Sequence, residues 1–209
     1  MTIHKLMGGM HLNPPLVVKD IEEATASIGF TMGSDHLTGS LLRTLVATKP
    51  RGSFLELGTG TGLATAWILD GMDAHSRLIT VDREERHTSV AKRFLGNDPR
   101  VTFRLTDGMD FISSMREQGS TFDFIFADMQ PGKFSFLEET LQLLAIGGIY
   151  IVDDLLPLPT WSEEHTPEVV KLITTFEYLE AQRAFHVTKL DWSVGILIAV
   201  KTRLEGLSS

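Results

Sequence analysis

The sequence predicts one α/β domain with a doubly wound, mostly parallel sheet, closed by a C-terminal antiparallel hairpin and preceded by a helical preface. Three observations carry that expectation. Short apolar runs alternate with helix-spaced runs five times after residue 50. Those short runs are almost continuously apolar, as strands covered on both faces are. Each of them ends at or beside a carboxylate. At 209 residues the chain is long enough for one substantial core and short for two. Residues 1–209 are therefore expected to form a single domain: an irregular arm over 1–18, the preface over 19–50 and the sheet core over 51–204.

The arm carries Gly8, Gly9, Pro14 and Pro15, and with Met7, Met10 and His11 it is placed either to cover a site or to pair with a second subunit as a homodimer. Lys19 to Ile28 and Asp35 to Thr48 space their apolar residues as helices do, with Leu37, Leu41, Leu42 and Leu45 on one face. Ser53 to Leu57 is a buried strand running straight into glycines, and Leu63 to Met72 a helix. Leu78 to Val81 is a strand ending at Asp82. Glu84 to Leu95 is a helix stopped by Gly96-Asn97-Asp98-Pro99. Val101 to Leu105, Gly108 to Arg116 and Phe122 to Ala127 continue as strand, helix and strand. Phe134 to Leu144 reads as a helix closed by Gly147-Gly148, and Ile149 to Val152 as a strand ending at Asp153. Pro167 to Ala181 is the last helix. Ala184 to Leu190 and Val194 to Val200 form a hairpin turning at Asp191-Trp192.

Composition narrows the function. Apolar residues make up 43% and charged residues 22%, which excludes disordered and fibrous classes. Lys and Arg number 19 against 27 Asp and Glu, a net charge of −8, which argues against a broad grip on a nucleic-acid backbone. With no cysteine, disulfide scaffolds and thiolate metal sites are excluded. The seven histidines show no compact metal spacing. No apolar run is long enough for a membrane span, and the first residues lack a clean signal-peptide pattern. A soluble, cytoplasmic protein is expected.

Ligands of open parallel sheets bind beyond the carboxyl ends of the strands, where strand order reverses. Those ends hold Glu56 through Gly62, then Asp82, Asp107, Asp128 and the pair Asp153-Asp154. Leu55-Glu-Leu-Gly-Thr-Gly-Thr-Gly62 places three glycines at alternate positions, which lets backbone approach a ligand closely. It is not the dinucleotide fingerprint, because Leu63 stands where that motif needs glycine, and it has no Gly-Lys-Ser/Thr of a phosphate loop. A tight strand-to-helix turn is the competing reading. Asp82, with Arg83 beside it, lies where a carboxylate accepts hydrogen bonds from a ribose diol. Asp107 is placed to reach an adenine amino group. For both, capping the next helix is the alternative.

Five segments together resemble the Rossmann-like S-adenosylmethionine-dependent methyltransferases. They are Leu55 to Gly62, Ile79-Thr-Val-Asp82, Thr106-Asp-Gly108, Phe122-Asp-Phe-Ile-Phe-Ala-Asp128 and Gly147-Gly-Ile-Tyr-Ile-Val-Asp-Asp154. The last two look most like the catechol and caffeoyl-CoA type O-methyltransferases. The resemblance runs from about Gly29 to Val200. It implies methyl transfer from S-adenosylmethionine to a hydroxyl of a small, aromatic molecule, assisted by a divalent cation. It places Glu56, Gly58, Thr59, Gly60 and Gly62 against the methionine part of the cofactor, Asp82 and Arg83 at the ribose, and Asp107 and Gly108 at the adenine, with Asp128 nearby. It assigns Asp128, Asp153 and Asp154 as ligands of Mg²⁺, Mn²⁺ or Ca²⁺, and Asp128, Lys133 and Asp153 to catalysis. Two positions depart from the family. Asp154 replaces its Asn, and Pro131 stands where the catechol type has Lys, leaving Lys133 as the nearest lysine. Lys133 is otherwise an exposed lysine at a helix start.

Leu155-Leu-Pro-Leu-Pro-Thr-Trp161 is expected either to wall an acceptor pocket or only to pack its loop down. The alternatives kept open are a metal-independent methyltransferase acting on nitrogen or RNA, a nicotinamide-dependent oxidoreductase, and a non-catalytic nucleoside-binding module.

Overall fold

A computed structural model of the chain describes residues 12–157, 162–163 and 165–203. Met7, Met10 and His11 of the arm and Trp161 of the acceptor-wall segment lie outside the described residues. The preface is two helices, α1 (Val17–Ser27) and α2 (His36–Val46). The second starts at Asp35, whose carboxylate accepts from the Leu37 and Thr38 amides at 2.7 and 3.2 Å and so satisfies two free N–H groups of the first turn.

Seven strands follow: β1 (Ser53–Leu57), β2 (Arg77–Asp82), β3 (Val101–Leu105), β4 (Phe122–Ala127), β5 (Leu144–Val152), β6 (Phe185–Leu190) and β7 (Ile196–Lys201). They pair in the order β3-β2-β1-β4-β5-β7-β6. All neighbours are parallel except β7, which runs antiparallel to both β5 and β6. Helices α3 (Leu63–Gly71), α4 (Glu85–Leu95), α5 (Gly108–Glu117), α6 (Leu137–Gln142) and α7 (His165–Ala181) complete the chain. One face of the sheet packs Phe54, Phe124 and Phe126 with Trp67 of α3 and with Ile21 and Leu42 of the preface. The other packs Leu55, Ile125 and Tyr150 with Ile112 of α5 and Phe176 of α7. Covered on both faces, β1, β4 and the end of β5 need little polar alternation, which is why they read as nearly unbroken apolar runs, while the edge strands β3 and β6 stay largely exposed.

The expected helix Phe134 to Leu144 is corrected. Only Leu137–Gln142 is helical, and β5 already begins at Leu144. The Lys201 ammonium, buried under the sheet edge, donates to the Leu141 and Leu144 carbonyls at 2.8 Å each and ends the helix there. Gly147-Gly148 is not a helix stop but the bulge of β5. Phe122 to Phe124 on β4 face Leu144 to Ile149 on β5, and Gly147 takes a left-handed φ of 75°.

Candidate active site

Chain order reverses between β1 and β4, so the crevice expected of this topology opens at their carboxyl ends. The turn after β1 sits there. The amides of Gly58 and Thr59 both donate to the Val81 carbonyl of β2, at 2.9 and 3.1 Å, and the Asp128 amide donates to Leu57 at 2.7 Å. Gly58 adopts φ 107°, and a Cβ there would lie 2.4 Å from the Asp128 carbonyl oxygen. A side chain at that position would both strain the backbone and push β4 away.

Asp82 at the tip of β2 braces the turn. One carboxylate oxygen accepts from the Gly60 amide at 2.8 Å and the other from the Glu84 amide at 2.9 Å; Asp82 is not the cap of α4, a position held by Glu84, and each of its oxygens keeps a lone pair free. Arg83 is largely exposed, with its Nε 3.6 Å from the Glu84 carboxylate. Asp107 caps α5 by accepting from the Met109 amide at 2.8 Å. Gly108 lies under Met129 and Pro131, whose side chains leave no room for a Cβ. The turn carries no lysine or arginine.

Glu56 corrects an expectation. It does not open on the turn but is wholly buried behind it. Its Oε2 accepts from Thr65 and Thr80 hydroxyls at 2.5 Å each, while Oε1 has no hydrogen-bond partner. Burial, against the pull of the two hydroxyls, pushes its carboxyl up to about 7. Thr59 joins the same network through a 2.6 Å hydroxyl contact with Thr80.

Beside Gly58, the ends of β4 and β5 bring the three predicted aspartates together. One carboxylate oxygen from each of Asp128, Asp153 and Asp154 lies within 4.8 Å of the others. Asp154 holds a left-handed φ of 55°, a conformation that Asp and Asn tolerate better than other side chains and that turns it back toward the cluster. Burial, then the Asp153 charge, raises the Asp128 carboxyl well above the usual carboxylate range. Burial raises Asp153 to about 6 against the opposing Lys133 charge. Asp153 Oδ1 is buried without a hydrogen-bond partner. Three carboxylates are a hard-oxygen set of the kind a divalent cation such as Mg²⁺, Mn²⁺ or Ca²⁺ takes, and Asp153 Oδ1, which makes no hydrogen bond, has the Lys133 ammonium as its charged neighbour.

The reading of Lys133 as an exposed helix-start residue is overturned. Lys133 is 4% exposed, and its Nζ stands 3.6 Å from Asp153 Oδ1 and 3.7 Å from Asp154 Oδ2. The turn Gln130–Lys133 places it. Gly132, at φ 94°, packs on Leu57, and its carbonyl accepts from the buried Tyr150 hydroxyl at 2.7 Å. Tyr150 went unnoticed in the sequence, as did three other neighbours. Ser34 Oγ makes a long 3.4 Å contact with Asp128 Oδ2, His165 Nε2 stands 3.2 Å from the Asp154 carbonyl, and the Phe30 ring lies 3.5 Å from where a Gly60 Cβ would be. Helical periodicity gives Phe30 and Ser34 no distinction, because they sit on the connector between α1 and α2. Leu155 and Leu156 of the expected acceptor wall are pinned by amide donation to the Val194 carbonyl at 2.9 and 2.8 Å.

The glycine turn thus lies at the strand-order reversal of a doubly wound sheet. A methyltransferase domain model matches residues 55–155, so the resemblance read from the motifs holds over the stretch that builds the site. A protein of Mycobacterium sp. (strain KMS), provisionally named an O-methyltransferase, is 32% identical over 130 residues, 58% of this chain and 58% of the relative. The catechol O-methyltransferase of Niastella koreensis is 28% identical over 123 residues, 56% of each chain. The match thus spans less than two thirds of these curated relatives. The O-methyltransferase TomG from Streptomyces achromogenes, solved in complex with SAM, superposes with a TM-score of 0.79 at 18% identity, covering 96% of each chain, which shows the shared fold.

Proposed function

We propose that the chain transfers a methyl group from S-adenosylmethionine to a hydroxyl of a small aromatic molecule. One observation carries the reading. The glycine turn and the three-aspartate cluster meet at the Gly58–Asp128 contact, so a donor lying on the turn and an acceptor lying on the aspartates would be adjacent. The names of the relatives support it.

When bound, S-adenosylmethionine supplies an electrophilic methyl on a sulfonium. The chain's own tasks are then to align the reactants and to leave the acceptor oxygen unprotonated. Asp82 accepts the ribose hydroxyls with the lone pairs that the Gly60 and Glu84 amides leave free. Glu56 acts from behind, holding β1, β2 and α3 in register through Thr80 and Thr65. Where a divalent cation enters, Asp128, Asp153 and Asp154 would hold it, and the chemistry it would supply there is to acidify a hydroxyl. The Lys133 ammonium lies among the same oxygens, placed to stabilise a developing phenolate. Phe134, 5.4 Å from the Lys133 ammonium, and His165, edge-on to Phe134 at 5.3 Å between ring centres, give the cluster an aromatic flank suited to a flat acceptor.

Calorimetry with S-adenosylmethionine, its demethylated product and NAD tests the first half of the reading. Methyl incorporation into a panel of hydroxylated aromatics tests the second. Heat with NAD and none with either sulfur nucleoside would overturn the proposal.

A further inference from the structure

Two lysines are buried among the described residues, Lys133 and Lys201. Lys201 is fully accounted for, because its ammonium ends α6 on two carbonyls. Lys133 is different. It is buried, donates to no carbonyl, and lies against two of the three carboxylates that would bind a cation. We infer that Lys133 is the resident cation of the three-aspartate site and competes with divalent ions for it.

The placement is built rather than incidental. Lys133 follows a glycine whose left-handed φ and close packing on Leu57 admit no side chain, and the Tyr150 hydroxyl clamps that glycine's carbonyl from the buried face of β5. The backbone that carries Lys133 is therefore fixed beside the cluster. Its two contacts, at 3.6 and 3.7 Å, are nearly equal and longer than a hydrogen bond. Nζ is thus shared between Asp153 Oδ1 and Asp154 Oδ2 instead of being clamped to one of them. A divalent ion ligated by the same oxygens would meet an ammonium in a poorly solvated site, where like charges repel strongly. Asp154 belongs to the same logic. A third carboxylate at this position supplies the Lys133 ammonium with its second anionic partner.

The inference deepens the proposed function and rests on the three aspartates being where the acceptor oxygen is handled. In the wild-type chain that oxygen meets the Lys133 ammonium, and a divalent ion enters only weakly. Removing the charge while keeping the side-chain length, as in Lys133→Met, opens the site.

The test is Mn²⁺ binding to the full chain, followed by calorimetry and by the loss of the free-ion paramagnetic resonance signal, for wild type, Lys133→Met and Lys133→Arg. Lys133→Met is expected to bind Mn²⁺ at least about tenfold more tightly than wild type, and Lys133→Arg to resemble wild type, because the guanidinium restores the charge. Equal affinities for wild type and Lys133→Met would overturn the inference. If Lys133→Met does not fold, the wild-type titration decides alone. A dissociation constant tighter than about 100 μM, the range of committed cation sites, overturns the inference, and a weaker one supports it. S-adenosylmethionine titrated into the same samples separates the two readings: no heat with the nucleoside counts against the proposed function, whatever the Mn²⁺ comparison shows.

Discussion

Replacing Glu56 with glutamine is expected to flatten the pH dependence of stability. Glu56 is the most completely buried acid of the site, with two threonine hydroxyls on Oε2 and nothing on Oε1. Burial lifts its carboxyl from 4.5 to about 7. Between those values the folded chain keeps a proton that the unfolded chain has released. Stability therefore falls as pH rises through this window and levels off above it. A shift of that size corresponds to roughly 3 kcal/mol at about 1.4 kcal/mol per pH unit. For a chain of this length each kcal/mol moves Tm by about 2–4 °C, so the full effect is on the order of 6–12 °C. Glutamine keeps an oxygen for the threonines and has no charge to desolvate. Its amide adds a constant cost that does not vary with pH. The measurement is Tm by circular dichroism from pH 5 to 8 for both proteins. The difference, variant minus wild type, is expected to climb with pH across this range. The raised carboxyls of Asp128 and Asp153 titrate in both proteins and cancel in the difference. A difference that stays level from pH 5 to 8 refutes the argument.

Other substitutions separate the parts of the site. Asp82→Ala removes the acceptor proposed for the ribose hydroxyls together with that of the Gly60 amide, and should weaken S-adenosylmethionine by about 100-fold or more at two charge-assisted hydrogen bonds, read by calorimetry. Asp153→Ala should abolish methyl transfer while leaving that affinity within a few-fold, and equal loss of affinity in both variants would contradict this division of labour. Gly58 and Gly60 both hold a left-handed φ, so alanine at either costs about 1–3 kcal/mol from the backbone, but at Gly58 the added methyl also meets the Asp128 carbonyl oxygen at 2.4 Å, whereas at Gly60 it meets only the Phe30 ring at 3.5 Å. Thermal melts should accordingly place Gly58→Ala well below Gly60→Ala.

The sequence by itself determined the elements and the edge of the sheet that carries chemistry. Ser53–Leu57 and Phe122–Ala127 are strands at the limits read from hydrophobicity, because runs buried on both faces need little polar alternation and these two end where glycine or aspartate begins. The three aspartates were legible for the same reason: each stands at or just beyond a strand end, and strand ends of one parallel sheet converge. The β5 bulge was not legible, since a glycine pair marks a helix stop and a bulge alike, and only pairing with β4 and the Lys201 contacts select between them.

Tertiary structure alone decided the two groups that give the site its character. Glu56 sits on a strand whose alternate residues face opposite sides, and α3 and β2 closing over it turn a site acid into a buried brace. Lys133 stands two residues away from the position the family pattern would use. A left-handed glycine, the Leu57 side chain beneath it and the Tyr150 hydroxyl from a strand 17 residues further along carry its ammonium inward. Local spacing encodes where a chain turns. Whether the next side chain ends in water or between two carboxylates depends on contacts from distant segments, and those exist only once the sheet is assembled.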